Sequence, residues 1–129
     1  MPNVRYVCLS DLHLGEEDSL LTNIDPSDGK VAPNSPSPVL QAMAACLGDV
    51  VRRNSPGAPP PTLILLGDIL ELALAASDEV VKVLAQLAAL LLDQFGEIIY
   101  VPGNHDHHVW EIARETQYLN YMRRLENLA

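Results

Sequence analysis

The segment Glu97-Ile98-Ile99-Tyr100-Val101-Pro102-Gly103-Asn104-His105-Asp106 sets the fold reading. A short run of β-forming residues stops at Pro-Gly and gives way to an amide, an imidazole and a carboxylate. The same layout occurs twice upstream. Val4 to Leu9 runs into Ser10-Asp11-Leu12-His13-Leu14-Gly15, and Thr62 to Leu66 runs into Gly67-Asp68-Ile69-Leu70-Glu71. All four histidines, His13, His105, His107 and His108, lie in or beside these clusters. Strand ends of α/β sheets are where active sites collect, so position and chemistry agree.

Between the strands the pattern turns helical. Ser37-Pro38 opens a helix predicted to run to about Arg53, with Val39, Leu40, Met43, Leu47, Val50 and Val51 at helical spacing. A second helix is predicted from about Leu70 to Phe95, interrupted near Ser77-Asp78, where Ser77 could cap a second segment; Gly96 stops it. A last helix from about Val109 carries Trp110, Ile112, Ala113, Tyr118, Leu119, Met122 and Leu125. Strand–helix alternation means an α/β fold, with parallel strands joined by right-handed helical crossovers. All three clusters then share one edge of the sheet. The continuous apolar character of the first run, residues 3–9, predicts burial on both faces. Residues 16–38, acidic and then rich in Pro, Ser, Asp and Asn, read as a long loop on the rim of the site.

With 129 residues, 48% of them apolar, the chain is one domain or part of one, with a core of Leu, Val, Ile and Ala. The formal net charge of -9 disfavours non-specific nucleic-acid binding. Two bound divalent cations would reverse the sign inside a carboxylate-lined cleft, so the acidity does not exclude a phosphorylated small molecule. Cys8 and Cys46 are expected to be reduced and mostly buried. No charged leader followed by an apolar stretch is visible, and the longest uncharged apolar stretch, Val83 to Leu92, is too short to span a bilayer. The expected location is cytoplasmic.

Each cluster offers hard or borderline metal donors. At an extended strand end, residues i and i+2 point to one side, so Asp11 and His13 can reach one metal. Asp68 follows a glycine at which the backbone can turn, and its two oxygens can bridge two metals. Asn104 offers a carbonyl oxygen, His105 a titratable imidazole, and Asp106 a carboxylate able to orient it. Glu71 is equally well explained as an acid in the first turn of a helix, where the helix dipole favours it.

The ordered set Asp11-Leu12-His13, Gly67-Asp68 and Gly103-Asn104-His105-Asp106 resembles the calcineurin-like metallophosphoesterase superfamily over residues 3 to about 108. The resemblance implies an α/β/β/α sandwich with a dinuclear site at the strand ends. By it, Asp11 and His13 hold the first ion, Asp68 bridges both and Asn104 holds the second, the ions being Mn, Fe or Zn. His105, oriented by Asp106, would stabilise the transition state or protonate the leaving alkoxide while a metal-bound hydroxide attacks phosphorus. The family pattern continues with a later histidine and a Gly-His-x-His segment, which this sequence lacks. The expectation is therefore an incomplete, N-terminal portion of that domain over residues 1–129, with little turnover on its own. His107 and His108 could substitute as ligands, but they are adjacent and immediately follow the motif, so a substrate-facing or surface role is the leading reading.

Asp-Leu-His-Leu-Gly with Gly-Asp-Ile-Leu-Glu is similar to the branch containing UDP-diacylglucosamine hydrolases. Those proteins often carry Arg where His105 stands, so no substrate follows. The DNA-repair exonuclease branch opens similarly, but the acidic composition gives it no support. The leading function is metal-dependent hydrolysis of a phosphate ester or pyrophosphate. The alternatives are a non-catalytic scaffold of the same fold and a metal-binding fragment without turnover. The helix around Val80 to Leu92 is apolar on nearly every face, which predicts self-association of the isolated chain.

Overall fold

Three parallel strands, β1 (Tyr6–Leu9), β2 (Thr62–Leu66) and β3 (Glu97–Val101), form one sheet in the order β1-β2-β3 in a computed structural model that describes residues 2–71 and 77–127. The helices are α1 (Pro38–Arg52), α2 (Ser77–Leu91) and α3 (His107–Glu126), with a short 3-10 turn at Leu92–Gln94. The fold is α/β with parallel strands, as the alternation predicts. Of the two sheets of the expected sandwich, the described residues form one.

The register puts Val7, Leu63 and Ile98 side by side, and likewise Leu9, Leu65 and Tyr100. This face meets the helices. Leu63 and Leu65 are buried with Leu40 and Ala44 of α1 and Val83, Leu87 and Leu91 of α2. Successive strand residues alternate faces, so Tyr6, Cys8, Ile64, Leu66, Ile99 and Val101 belong to the other one. That face is largely open: Tyr6 is 66% exposed, Leu66 51% and Val101 43%. The expected burial of the first run on both faces is thus not found, because among the described residues the helices cover only one face of the sheet. Cys8 and Cys46 are free but exposed rather than buried, Cys8 because it falls on this open face.

The α1 start follows its sequence signal. Ser37 Oγ accepts from Leu40 N at 3.0 Å, and Pro38 occupies the first turn, where no N–H is needed. Its burial is carried by Leu40, Ala44 and Gly48, whereas Val39 and Val50 are exposed. The second helix starts later than predicted. Leu70 and Glu71 are not helical: Leu70 bridges Leu14 in parallel, and Glu71 N donates to Leu14 O at 3.0 Å. Residues 72–76 of that predicted helix lie outside the described residues. Ser77 begins α2, which buries one face and leaves Val81 exposed. On α3, Tyr118, Leu119, Met122 and Leu125 are all exposed. Among the described residues no helix is long and apolar enough to cross a membrane.

The 16–38 segment is a loop, as expected, and it is tied down. Gly15 N donates to Thr22 Oγ1 at 2.9 Å, Ser19 Oγ to Leu12 O at 2.8 Å, and Ser37 Oγ to Leu20 O at 3.2 Å. It thereby lies beside the first polar cluster.

Candidate metal centre

The three clusters meet because the strand ladders continue past the strands. Gly67 N donates to Val101 O at 2.7 Å, while Gly67 O accepts from Asp11 N at 3.1 Å. His13 N then bonds Asp68 O at 3.0 Å, and Leu14 N bonds Ile69 O at 2.9 Å. The third cluster is stitched to the second by side chains. Asp68 Oδ1 accepts from His105 N at 2.9 Å. A side chain at Gly103 would collide with Asp68, its Cβ falling 2.6 Å from Asp68 N. Only glycine permits so close a pass of the two turns.

Asp11, His13 and Asp68 have φ of 53°, 47° and 50° and are the non-glycine residues in left-handed backbone among those described. The expected extended geometry, with i and i+2 on one side, is therefore not how Asp11 and His13 are presented. Each turns sharply beyond the end of β1. Such conformations cost free energy and persist where the surroundings impose them, commonly at functional sites. Here the backbone bonds to Gly67 and Asp68 impose them, and the turns bring ligand atoms of Asp11, His13 and Asp68 within 4.8 Å of one another. A shallow pocket of about 310 Å³ runs from Asp11 and His13 along the rim, past Glu16 and Asp18.

Asn104 lies over Asp68. The amide orientation that satisfies both puts its nitrogen 3.0 Å from Asp68 Oδ2 and 3.1 Å from Oδ1. Two carboxylates, an imidazole and an amide oxygen, with no thiol among them, suit Mn, Fe or Zn. The residues present fit such ions.

The expected pairing of Asp106 with His105 is replaced by another. Asp106 is fully buried and uses its oxygens elsewhere: Oδ2 accepts from Ile69 N at 2.8 Å, Leu70 N at 3.4 Å and Tyr100 Oη at 2.5 Å, and Oδ1 accepts from Gly103 N. Burial alone would raise its carboxyl, but these four bonds outweigh that and hold it below the usual carboxylate range. Burial and the bond to Asp106 together push the Tyr100 phenol up, so it stays a donor. Asp106 therefore clamps the second cluster to the third.

The ring of His105 is held by Glu71, which is also fully buried. Its carboxylate lies 2.9 Å from His13 Nδ1 and 2.8 Å from His105 Nδ1, and the two rings meet edge to face at 5.0 Å. Burial would raise the Glu71 carboxyl, yet the two imidazole bonds and their charge leave it lowered. An ionised carboxylate only accepts, so both rings carry their proton on Nδ1. In the neutral rings Nε2 then keeps its lone pair. The bond to Glu71, against a smaller effect of burial and with help from the charges of Glu71, Asp68 and Glu16, raises the His105 pKa. Glu71 was open to reading as a helix-start acid. The signal that it is something else is a single charge in the apolar stretch Ile69 to Ala76.

A sequence model of the family described as calcineurin-like phosphoesterase matches residues 4–128. The match is to the superfamily and carries no branch. Neither a curated protein nor a solved structure gave a significant match.

Proposed function

The chain belongs to the calcineurin-like phosphoesterase family, and from that premise we propose that it forms a dinuclear hydrolytic site for a small phosphate ester or pyrophosphate. One observation carries the reading: Asp11, His13 and Asp68 converge within 4.8 Å at strand ends, with His105 bonded to Asp68 through its backbone. Asp11 and His13 would hold one ion, Asn104 a second, and Asp68 would be shared between them. Divalent cations bound there would activate water and neutralise charge on the phosphoryl oxygens. His105 is the acid. Its Nδ1–H stays on Glu71, and in the protonated ring Nε2–H can be given to the leaving oxygen. The bond to Glu71 raises the His105 pKa and so favours the protonated ring. His13 Nε2 serves as ligand because Glu71 fixes the tautomer.

The test is hydrolysis of p-nitrophenyl phosphate and bis-p-nitrophenyl phosphate with and without Mn²⁺. Hydrolysis that needs the metal and disappears in Asp68→Asn is expected. Metal-dependent hydrolysis that survives Asp68→Asn would remove the bridging role, and metal binding with no turnover of any phosphate ester would favour the non-catalytic scaffold.

A further inference from the structure

The first turn of α3 carries a second donor group, separate from the centre described above. Ligand atoms of His107, His108 and Glu111 lie within 4.8 Å of one another, and all three residues are exposed. Glu111 Oε2 is 3.1 Å from His108 Nδ1, and Glu111 Oε1 is 3.9 Å from His107 Nε2. The two imidazole rings lie 3.9 Å apart, tilted by 37°.

The far side of His107 supplies an independent observation. Its Nδ1 is 3.0 Å from the carbonyl oxygen of Asn104. A carbonyl only accepts, so Nδ1 carries the proton, and the neutral ring has a bare Nε2 facing Glu111. An imidazole tied by one nitrogen to a backbone carbonyl, with the other nitrogen free beside a carboxylate, has the arrangement typical of metal-bound histidines. The 3.9 Å gap is too long for a hydrogen bond, and it needs to close by only about 0.5 Å to match two donors about 2.1 Å from one tetrahedral zinc ion.

We propose that His107 Nε2, His108 Nδ1 and the Glu111 carboxylate form a peripheral site for a transition-metal cation, Zn²⁺ in the first instance, which takes the place of the proton that His108 Nδ1 shares with Glu111 in the metal-free chain. Two imidazoles and one carboxylate select zinc, copper or nickel over magnesium and calcium. The fourth position faces solvent. The positive end of the α3 dipole opposes a cation and weakens its binding a few-fold. Metal on Nε2 requires the proton on Nδ1, the same proton that grips Asn104. Zinc binding therefore reinforces the turn that presents Asn104. This site does not depend on the hydrolytic reading.

The full chain is titrated with Zn²⁺ against a chromophoric chelator, alongside His108→Ala/Glu111→Gln. The double variant is expected to lose one zinc equivalent, or to bind it at least tenfold more weakly, with an unchanged far-UV spectrum. Zinc binding equal to wild type in that variant would overturn the site. A second measurement uses ¹H–¹⁵N imidazole correlations. Zinc is expected to shift His107 Nε2 while its Nδ1 stays protonated. Coordination through His107 Nδ1, or no change at His107, would overturn it as well.

Discussion

Glu71 sits between two imidazoles, and Glu71→Gln removes the charge without emptying the space. In the metal-free chain the His105 pKa, followed by NMR, is expected to fall in this variant. The folded pKa of His105 is raised, so its ion pair stabilises fully below the ordinary histidine value of about 6.5 and is lost as pH rises through the folded value. In Glu71→Gln that loss should vanish. Asp106 runs the other way. Its folded pKa is lowered, so its contribution is present above about pH 4 and lost as pH falls further. Urea unfolding of Asp106→Asn should show a flatter acid limb and a stability deficit of about 1–3 kcal/mol for each buried donor left unmet. Asp11, His13, Asp68, Asn104 and His105 were legible because each stands in a short motif at a strand end. The partner of His105 was not. An acid a few residues past a strand looks like a helix-start residue, and only the fold shows that Leu70 and Glu71 continue the ladder with Leu14 instead.

Among the elements, β2 and β3 were legible to the residue, since apolar runs bounded by Pro and Gly leave little choice of register. α1 was legible within one residue through Ser37 and Pro38. Ser37→Ala is expected to lower stability by about 0.5–2 kcal/mol, read from the thermal midpoint, since it removes the acceptor for Leu40 N. Which helix residues would be buried was less legible. Spacing marked Val39 and Val50, yet Ala44 joins the core and Gly48 is buried beneath the Arg52 and Gln94 side chains. The turn between β3 and α3 is tested by Gly103→Ala. The added methyl has nowhere to go without displacing Asp68, so Mn²⁺ affinity and hydrolysis should drop together while α1 and α2 remain intact by circular dichroism.

For the whole molecule the exposed side of the sheet matters more than the helix whose sequence suggested association. Ile64 pairs with Cys8 and Ile99, and Leu66 with Val101, giving a cross-strand apolar surface. Sedimentation of the 129-residue chain should show association that Ile99→Lys/Val101→Lys suppresses. That surface was not legible, because an apolar strand reads alike whether one face or both are covered. The ladder that continues from the strands into the turns has a further consequence for motion. The amides of Asp11, His13 and Gly67 are donors in the same hydrogen-bonded lattice as β2. Loops of a binding site usually exchange their protons with solvent by small local openings. Here these amides cannot be freed without separating the strands, so their deuterium uptake should be as slow as that of Leu63 and Leu65. The metal-binding turns would then share the lifetime of the sheet.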